Sequence, residues 1–322
     1  MKINIIRVLL AALACAGPAL EAQAAYPEKA VKIVVAQTPG GAADIMGRLI
    51  AQKLSQRWNQ TVIVENRAGA GGNIGSDAVA KAPADGYTLL MSSDGPMAIN
   101  ASLYKSLPFD LLRDFTPIAS IATFSFVLLV NNNVPAKTFS EFVKLAQTNQ
   151  TMTLGNAGNG STNHLVGEVI KKTSKIKMTN VPYRGAVEAT TDLLGGRIDA
   201  MISSVPAGAV RVDNGTLNAL VVSGESRAKR LPGVPTMAEA GFSNDVSPSW
   251  FGLFAPANVP QDIVRKIHSD ISIILKDPEM NAKMQTQGLE PLETSQEKFE
   301  TMWKSAIRNW RVVVMETGAV LN

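Results

Sequence analysis

Cysteine is nearly missing from this 322-residue chain: the one present, Cys15, lies in an N-terminal apolar stretch. A single thiol excludes a disulfide framework and any zinc site built from cysteine pairs, so the core must carry stability unaided. Histidine is almost as scarce, with only His164 and His268, and His268 falls in the apolar periodicity of a late helix as a surface or packing residue. No H-E-x-x-H, no G-x-S-x-G and no cluster of His, Cys and carboxylate at metal-ligand spacing occurs. The expectation is therefore no catalytic residue, no metal and no cofactor. Charge of one sign is not concentrated either: 31 Lys plus Arg stand against 27 Asp plus Glu, with no basic run longer than a pair. That argues against nucleic acid, because neutralising phosphates needs a clustered basic face. Beyond the N-terminus, no apolar run approaches the roughly 18 residues of a membrane span.

What is present begins with Lys2 and Arg7, then an apolar run from Val8 to Gly17, then Ala22-Gln23-Ala24 before Ala25-Tyr26-Pro27. A basic head, a short apolar centre and an A-x-A site read as a cleavable signal peptide over residues 1–25, with Ala25 or Tyr26 beginning the mature chain. Two competing readings are a short membrane anchor, for which the run is too short, and a lipoprotein signal at Cys15, where Ala12 stands in the place of a preferred leucine. The remainder, at 46% hydrophobic and 18% charged for the whole chain, is globular, and the length suits two domains.

From Val31 onward, short apolar strands alternate with helical periodicities, which is the pattern of α/β architecture. Strands are expected at 31–36, 61–65 and 87–92, and helices at 44–54 and 72–82. The run from Pro117 to Val130 is long for one strand and is expected to cross between domains. A second α/β set follows, opened by a T-x-x-E capping box at Thr138 to Glu141 and carrying strands at 152–155, 179–183, 198–203 and 217–223. A strand at 250–255 returns the chain, and helices at 260–275 and 295–314 finish it. The expected fold is a bilobed α/β protein: lobe 1 over 26–124 and 248–322, lobe 2 over 125–247, two hinge crossings, and a cleft at the carboxyl ends of the strands.

Two loops at that edge are alike. Thr38-Pro39-Gly40-Gly41-Ala42-Ala43-Asp44 joins a strand to a helix in the first lobe, and Gly155 to Thr162, spelling GNAGNGS and then Thr, does so in the second. The second has the G-x-x-x-x-G spacing of a phosphate loop, but Ser161 stands where the lysine belongs, so it suits a smaller anion than a triphosphate. Free N–H groups at a helix start offer an anion site, and hydroxyls from Ser161 and Thr162 add donors. Ser92-Ser93-Asp94 and Ser203-Ser204 end strands at the same edge and suit hydrogen bonding to a small polar ligand. A third glycine run, Gly69 to Gly75, misses the dinucleotide fingerprint at Ile74 and reads as a tight strand-to-helix connection.

Several segments then coincide, in order, across nearly the whole mature chain: Pro39-Gly40-Gly41 with Asp44, Val64-Glu65-Asn66-Arg67, Asp85-Gly86-Tyr87, His164-Leu165, Val181-Pro182-Tyr183-Arg184-Gly185, Asp192-Leu193-Leu194-Gly195-Gly196 and Leu231-Pro232-Gly233-Val234-Pro235-Thr236. In these the chain resembles the periplasmic solute receptors of tripartite tricarboxylate transporters, the Bug family. The resemblance implies a two-lobed, type II-like periplasmic binding fold that closes on a small carboxylic acid, with a membrane permease as partner and a periplasmic location. It places Thr38, Pro39, Gly40, Gly41 and Ala42 on one side of the ligand and Asn156, Ala157, Gly158, Asn159, Ser161 and Thr162 on the other, with Ser92, Ser93 and Ser203 beside them. His164 is expected at the base of the second helix away from ligand, Asp44 as a partner of its own helix, and Arg184 at a strand end as either a cleft cation or a solvated side chain. Where family members carry a proline-rich run before P-G-G, this chain has Ala36-Gln37-Thr38, which adds polar groups at the cleft edge. A monomer is expected. A sensory receptor presenting the same ligand to a membrane histidine kinase, and an exported enzyme using the cleft, stay open as alternatives.

Overall fold

The computed structural model describes residues 26–243, 246, 248–319 and 321; the expected signal peptide, with Cys15, lies outside the described residues. Val31–Val35 (β1) reads VKIVV, β-branched and apolar on both faces, which is what a strand covered by helices on both sides needs. Helix α1 (Ala42–Trp58) follows, and then β2 (Val62–Asn66), α2 (Asn73–Ala80) and β3 (Thr88–Ser93). β1 pairs in parallel with β2 and β3, so the loops after all three open at one edge. A wide turn over Gly95–Ile99, closed by the Asn100 N–H on the Gly95 carbonyl, leads into α3 (Asn100–Leu103) and, further on, α4 (Leu111–Asp114).

The run expected as one long crossing is two strands. β4 (Phe115–Phe124) lies in the first sheet and β5 (Phe126–Asn131) in the second, with Ser125 between them. The second sheet orders β7-β6-β8-β5-β9, built from β6 (Thr153–Asn156), β7 (Thr179–Pro182), β8 (Ala200–Ser204) and β9 (Leu217–Val222). Its helices are α5 (Phe139–Thr148), α6 (Thr162–Ser174), α7 (Ala186–Leu194) and α8 (Val205–Asp213). The capping box at the start of α5 is formed in both directions between Thr138 and Glu141. The chain returns through β10 (Ser249–Pro256), which inserts antiparallel between β3 and β4, and ends with α9 (Gln261–Leu275), α10 (Pro278–Thr286), the short β11 (Glu290–Pro291) and α11 (Gln296–Thr317). This is a bilobed α/β fold.

Packing does not follow the two sheets as cleanly as the strands do. One face of the first sheet is covered by α1, α9 and α10 through Met46, Ile50, Ile267 and Met280; the other receives Phe299 and Trp303 of α11. Further along, the same helix buries Trp310 and Val314 against the second lobe, beside Ala98, Ile99 and Leu103 from the segment after β3. The last helix, expected wholly within lobe 1, therefore packs on both lobes.

Candidate functional site

A cavity of about 540 Å³ lies between the carboxyl edges of the two sheets. Its second-lobe wall is the turn between β6 and α6. Gly158 (φ 111°) and Gly160 (φ 78°) take backbone conformations that side chains resist. A Cβ on Gly160 would stand 2.7 Å from Leu103 Cδ1, so the turn is seated directly on the segment that follows β3. Ser161 caps α6: its Oγ accepts the His164 N–H at 3.2 Å, and its own O–H is free to donate. Asn159, Ser161, Thr162 and Asn163 line the cavity with Gly160. Thr162 Oγ1 is 3.8 Å from the Cβ position of Gly95 on the opposite wall, so the lobes meet here.

The first-lobe wall is built from three strand ends. Ala36, Gln37 and Thr38 follow β1, Ala68, Gly69, Gly71 and Gly72 follow β2, and Ser93, Gly95 and Pro96 follow β3. Gln37 Nε2 donates to Ser93 Oγ at 3.3 Å, tying two of these ends together. Asp94 sits under the wall, 2% exposed, with Oδ1 accepting the Gly95 N–H and the Ser249 hydroxyl. Burial pushes its carboxyl up to about 6 against the pull of those hydrogen bonds. Asn100 fixes the glycine run from behind, donating to the Gly71 carbonyl at 3.0 Å and to Asn73 Oδ1 at 2.7 Å.

Of the ligand contacts expected from sequence, Thr38, Ser93, Asn159, Ser161 and Thr162 come together on the cavity wall, and the others stand off it. Pro39 and Gly40 are exposed, and the Gly40 N–H donates to Asp44 Oδ2 at 2.9 Å. Asp44 also pairs with Arg48; burial raises its carboxyl, but the hydrogen bonds from Arg48, Gly40 and Asn66 outweigh this and hold it below the usual range. The loop ahead of α1 is thus closed on a carboxylate of its own, and Gly41 and Ala42 lie outside the lining. Ser92 is fully buried within β3, and Ser203, buried in β8, donates to the Ser204 carbonyl at 3.2 Å. Asn156 is buried behind the turn, its Oδ1 accepting the Gly158 N–H at 3.0 Å, with Ala157 between them. Arg184 is exposed and away from the cavity.

Sequence reasoning missed the Gly69 to Gly72 wall, Asn100, Leu103, Tyr104 and Leu321. The glycine run carried a signal, since it follows β2 at the same edge as the other two loops. Leu321 carried none: it reaches the cavity by pairing with Tyr104 after α11 has crossed both lobes. Among the described residues no lining side chain is cationic, so charge complement for an anion would come from the start of α6 and from hydroxyl and amide dipoles. Among the described residues no group of three His, Cys, Asp or Glu is placed to hold a metal, and no helix is long and apolar enough to cross a membrane.

Comparison with known proteins gives this arrangement a context. The family model described as tripartite tricarboxylate transporter family receptor matches residues 46–319. The protein BugT of Bordetella pertussis is 34% identical over 299 residues, spanning 92% of this chain and 91% of that protein. An R. palustris protein solved with adipate is 32% identical with a TM-score of 0.81, covering 91% of this chain and 99% of that one. MatC from Rhodopseudomonas palustris, solved with bound malate, is 28% identical with a TM-score of 0.76, covering 90% of this chain and all of that one.

Proposed function

The chain belongs to the tripartite tricarboxylate transporter receptor family, and on that premise we propose that it is a periplasmic solute receptor, not an enzyme, that holds a small carboxylate-bearing ligand between its lobes and delivers it to a membrane transporter of that type. The observation that carries this reading is the cavity itself: hydroxyl and amide donors from both lobes, Thr38 and Ser93 facing Asn159, Ser161 and Thr162, converge at the N-terminal end of the 13-residue helix α6. Donors from two bodies around one ligand give it a larger affinity for the closed state than for the open one, which is what lets binding drive closure. A transporter can then read occupancy from the relative position of the lobes. The receptor works as a monomer.

One helix terminus supplies roughly 0.3 to 2 kcal/mol to an anion, while a 1 μM complex needs about 8 kcal/mol. The remainder comes from the hydroxyl and amide donors and from the apolar Pro96, Ile99 and Leu103 on the same wall. The acid is therefore expected to be one with a carbon body, as adipate and malate are in the related structures. A thermal-shift panel of carboxylic acids on ligand-stripped protein tests this, because a ligand at 100 times its dissociation constant stabilises by about 2.7 kcal/mol. Stabilisation by sugars or amines with no response to any acid would sink the proposal. Thr162→Ala is the cleaner site variant, since Ser161→Ala also removes the cap of α6.

A further inference from the structure

The loop that forms the second-lobe wall is held from behind by an imidazole, and the consequence for binding drawn below rests on the receptor reading above. His164 lies in the first turn of α6, 9% exposed. Its Nδ1 accepts the Gly160 N–H at 3.1 Å. A nitrogen that accepts carries no proton, so the hydrogen of the neutral ring is on Nε2, 3.5 Å from Glu168 Oε1; the Asn180 amide beside it, Nδ2 at 3.2 Å from Nε2, donates to that same carboxylate and not to the ring.

The groups around the ring come from three elements. α6 contributes Glu168 and Lys171, whose Nζ is 2.7 Å from the Glu168 carboxylate; β7 contributes Asn180, whose Oδ1 is 3.2 Å from the same Nζ; the loop contributes the Gly160 amide and Ser161 Oγ. Burial works against the Glu168 anion, but hydrogen bonds from His164, Lys171 and Asn180 outweigh it and hold that carboxyl at about 2, so its charge persists.

We propose that His164 is a positioning residue of the cleft: the neutral imidazole holds the Gly160 peptide in the shape that seats on Leu103, and a proton taken up at Nδ1 releases the loop and weakens ligand binding. Protonation turns the acceptor into a second donor facing the Gly160 donor. The two N–H groups cannot share a bond, so the peptide must move off the ring. Because a Cβ on Gly160 would stand 2.7 Å from Leu103, that movement alters the contact between the turn and the opposite wall.

Nitrogen-15 and proton NMR on the full mature protein tests this without any ligand, following the His164 ring nitrogens and the Gly160 amide from about pH 8 to about pH 5. The expected result is an unprotonated Nδ1 at the upper end and a Gly160 amide that titrates with the same midpoint as the ring. An amide indifferent to that titration overturns the proposal. Calorimetry with adipate as probe then reads the consequence in wild type, His164→Asn and His164→Leu. Wild type should bind about fivefold more weakly at low pH, the size of one lost hydrogen bond. His164→Asn, whose carbonyl accepts without titrating, should keep only the smaller slope that Asp94 and the carboxyls of adipate contribute, and His164→Leu should be weak throughout. A wild-type slope retained in His164→Asn also overturns the proposal. Absence of any adipate heat in wild type counts against adipate as the ligand, and the NMR result still decides the role of His164.

Discussion

The Gly40 N–H donates to the carboxylate of Asp44, four residues on, at 2.9 Å. The first-lobe loop is thereby folded on its own acid. The two helix starts that look equivalent in sequence are not equivalent in the molecule: α1 has no side-chain cap and begins off the cavity wall, while α6 is capped by Ser161 and begins on it.

Asp44→Ala is expected to destabilise the protein by about 1 kcal/mol, since it removes the acceptor of the Gly40 donor and one of two acceptors of Arg48, the other being Asn66 Oδ1. The folded carboxyl lies below its usual range, so the stability it provides is present above the unfolded value of 3.8 and is lost as pH falls through the folded one. Chemical denaturation of variant and wild type at neutral and acidic pH should show the difference shrinking on acidification.

Asp94 behaves in the opposite sense. Its folded value of about 6 lies above the ordinary 3.8, so its contribution is full below the unfolded value and is lost as pH rises through the folded one. Asp94→Asn keeps an acceptor for Gly95 and Ser249 and should gain on wild type between about pH 4 and pH 7, by up to roughly 3 kcal/mol. Parallel denaturation curves at all pH values would show that the carboxyl is not buried as described.

Gly160→Ala should weaken ligand binding and hold the lobes apart, because the added Cβ meets Leu103 Cδ1 at 2.7 Å and the φ of 78° strains any side chain. The cost is about 1 to 3 kcal/mol of overpacking. Adding Leu103→Ala removes the clash but not the strain, so the double variant should recover part of the affinity; small-angle scattering of the three proteins reads the lobe separation.

Trp310→Ala, in the half of α11 that packs on the second lobe, should cost about 3 to 5 kcal/mol. Hydrogen exchange should quicken in α6 and leave β1 and β3 unchanged, since those strands rest on Met46, Ile50 and the other end of the helix. Uniformly faster exchange would mean that the lobes unfold as one unit.

What was legible in the sequence was whatever is decided locally. The Thr138 to Glu141 box is a four-residue affair and formed as expected; β1 and β9 fell within a residue of their expected limits because their apolar runs are bounded by polar or turn residues. α10 went unassigned because only Met280 and Met284 of its 9 residues are buried, too little periodicity to register. The cavity was half legible. Thr38, Ser161 and Thr162 follow from loops at strand ends, but Asn100 and Tyr104 enter through a wide turn with no pattern of its own, and the Asp44 to Gly40 bond competes with the ligand role expected for that loop. The periodicity of α11 shows that it has a buried face and is silent on which body covers each end.

Leu321 has a practical meaning. It exchanges backbone hydrogen bonds with the 103–105 segment, its N–H going to Leu103 and its carbonyl receiving Lys105, and its side chain forms part of the cavity wall. An affinity tag or fluorescent fusion appended past this residue would be anchored at the rim of the cavity. Dissociation constants measured on such a fusion would report the handle as well as the protein.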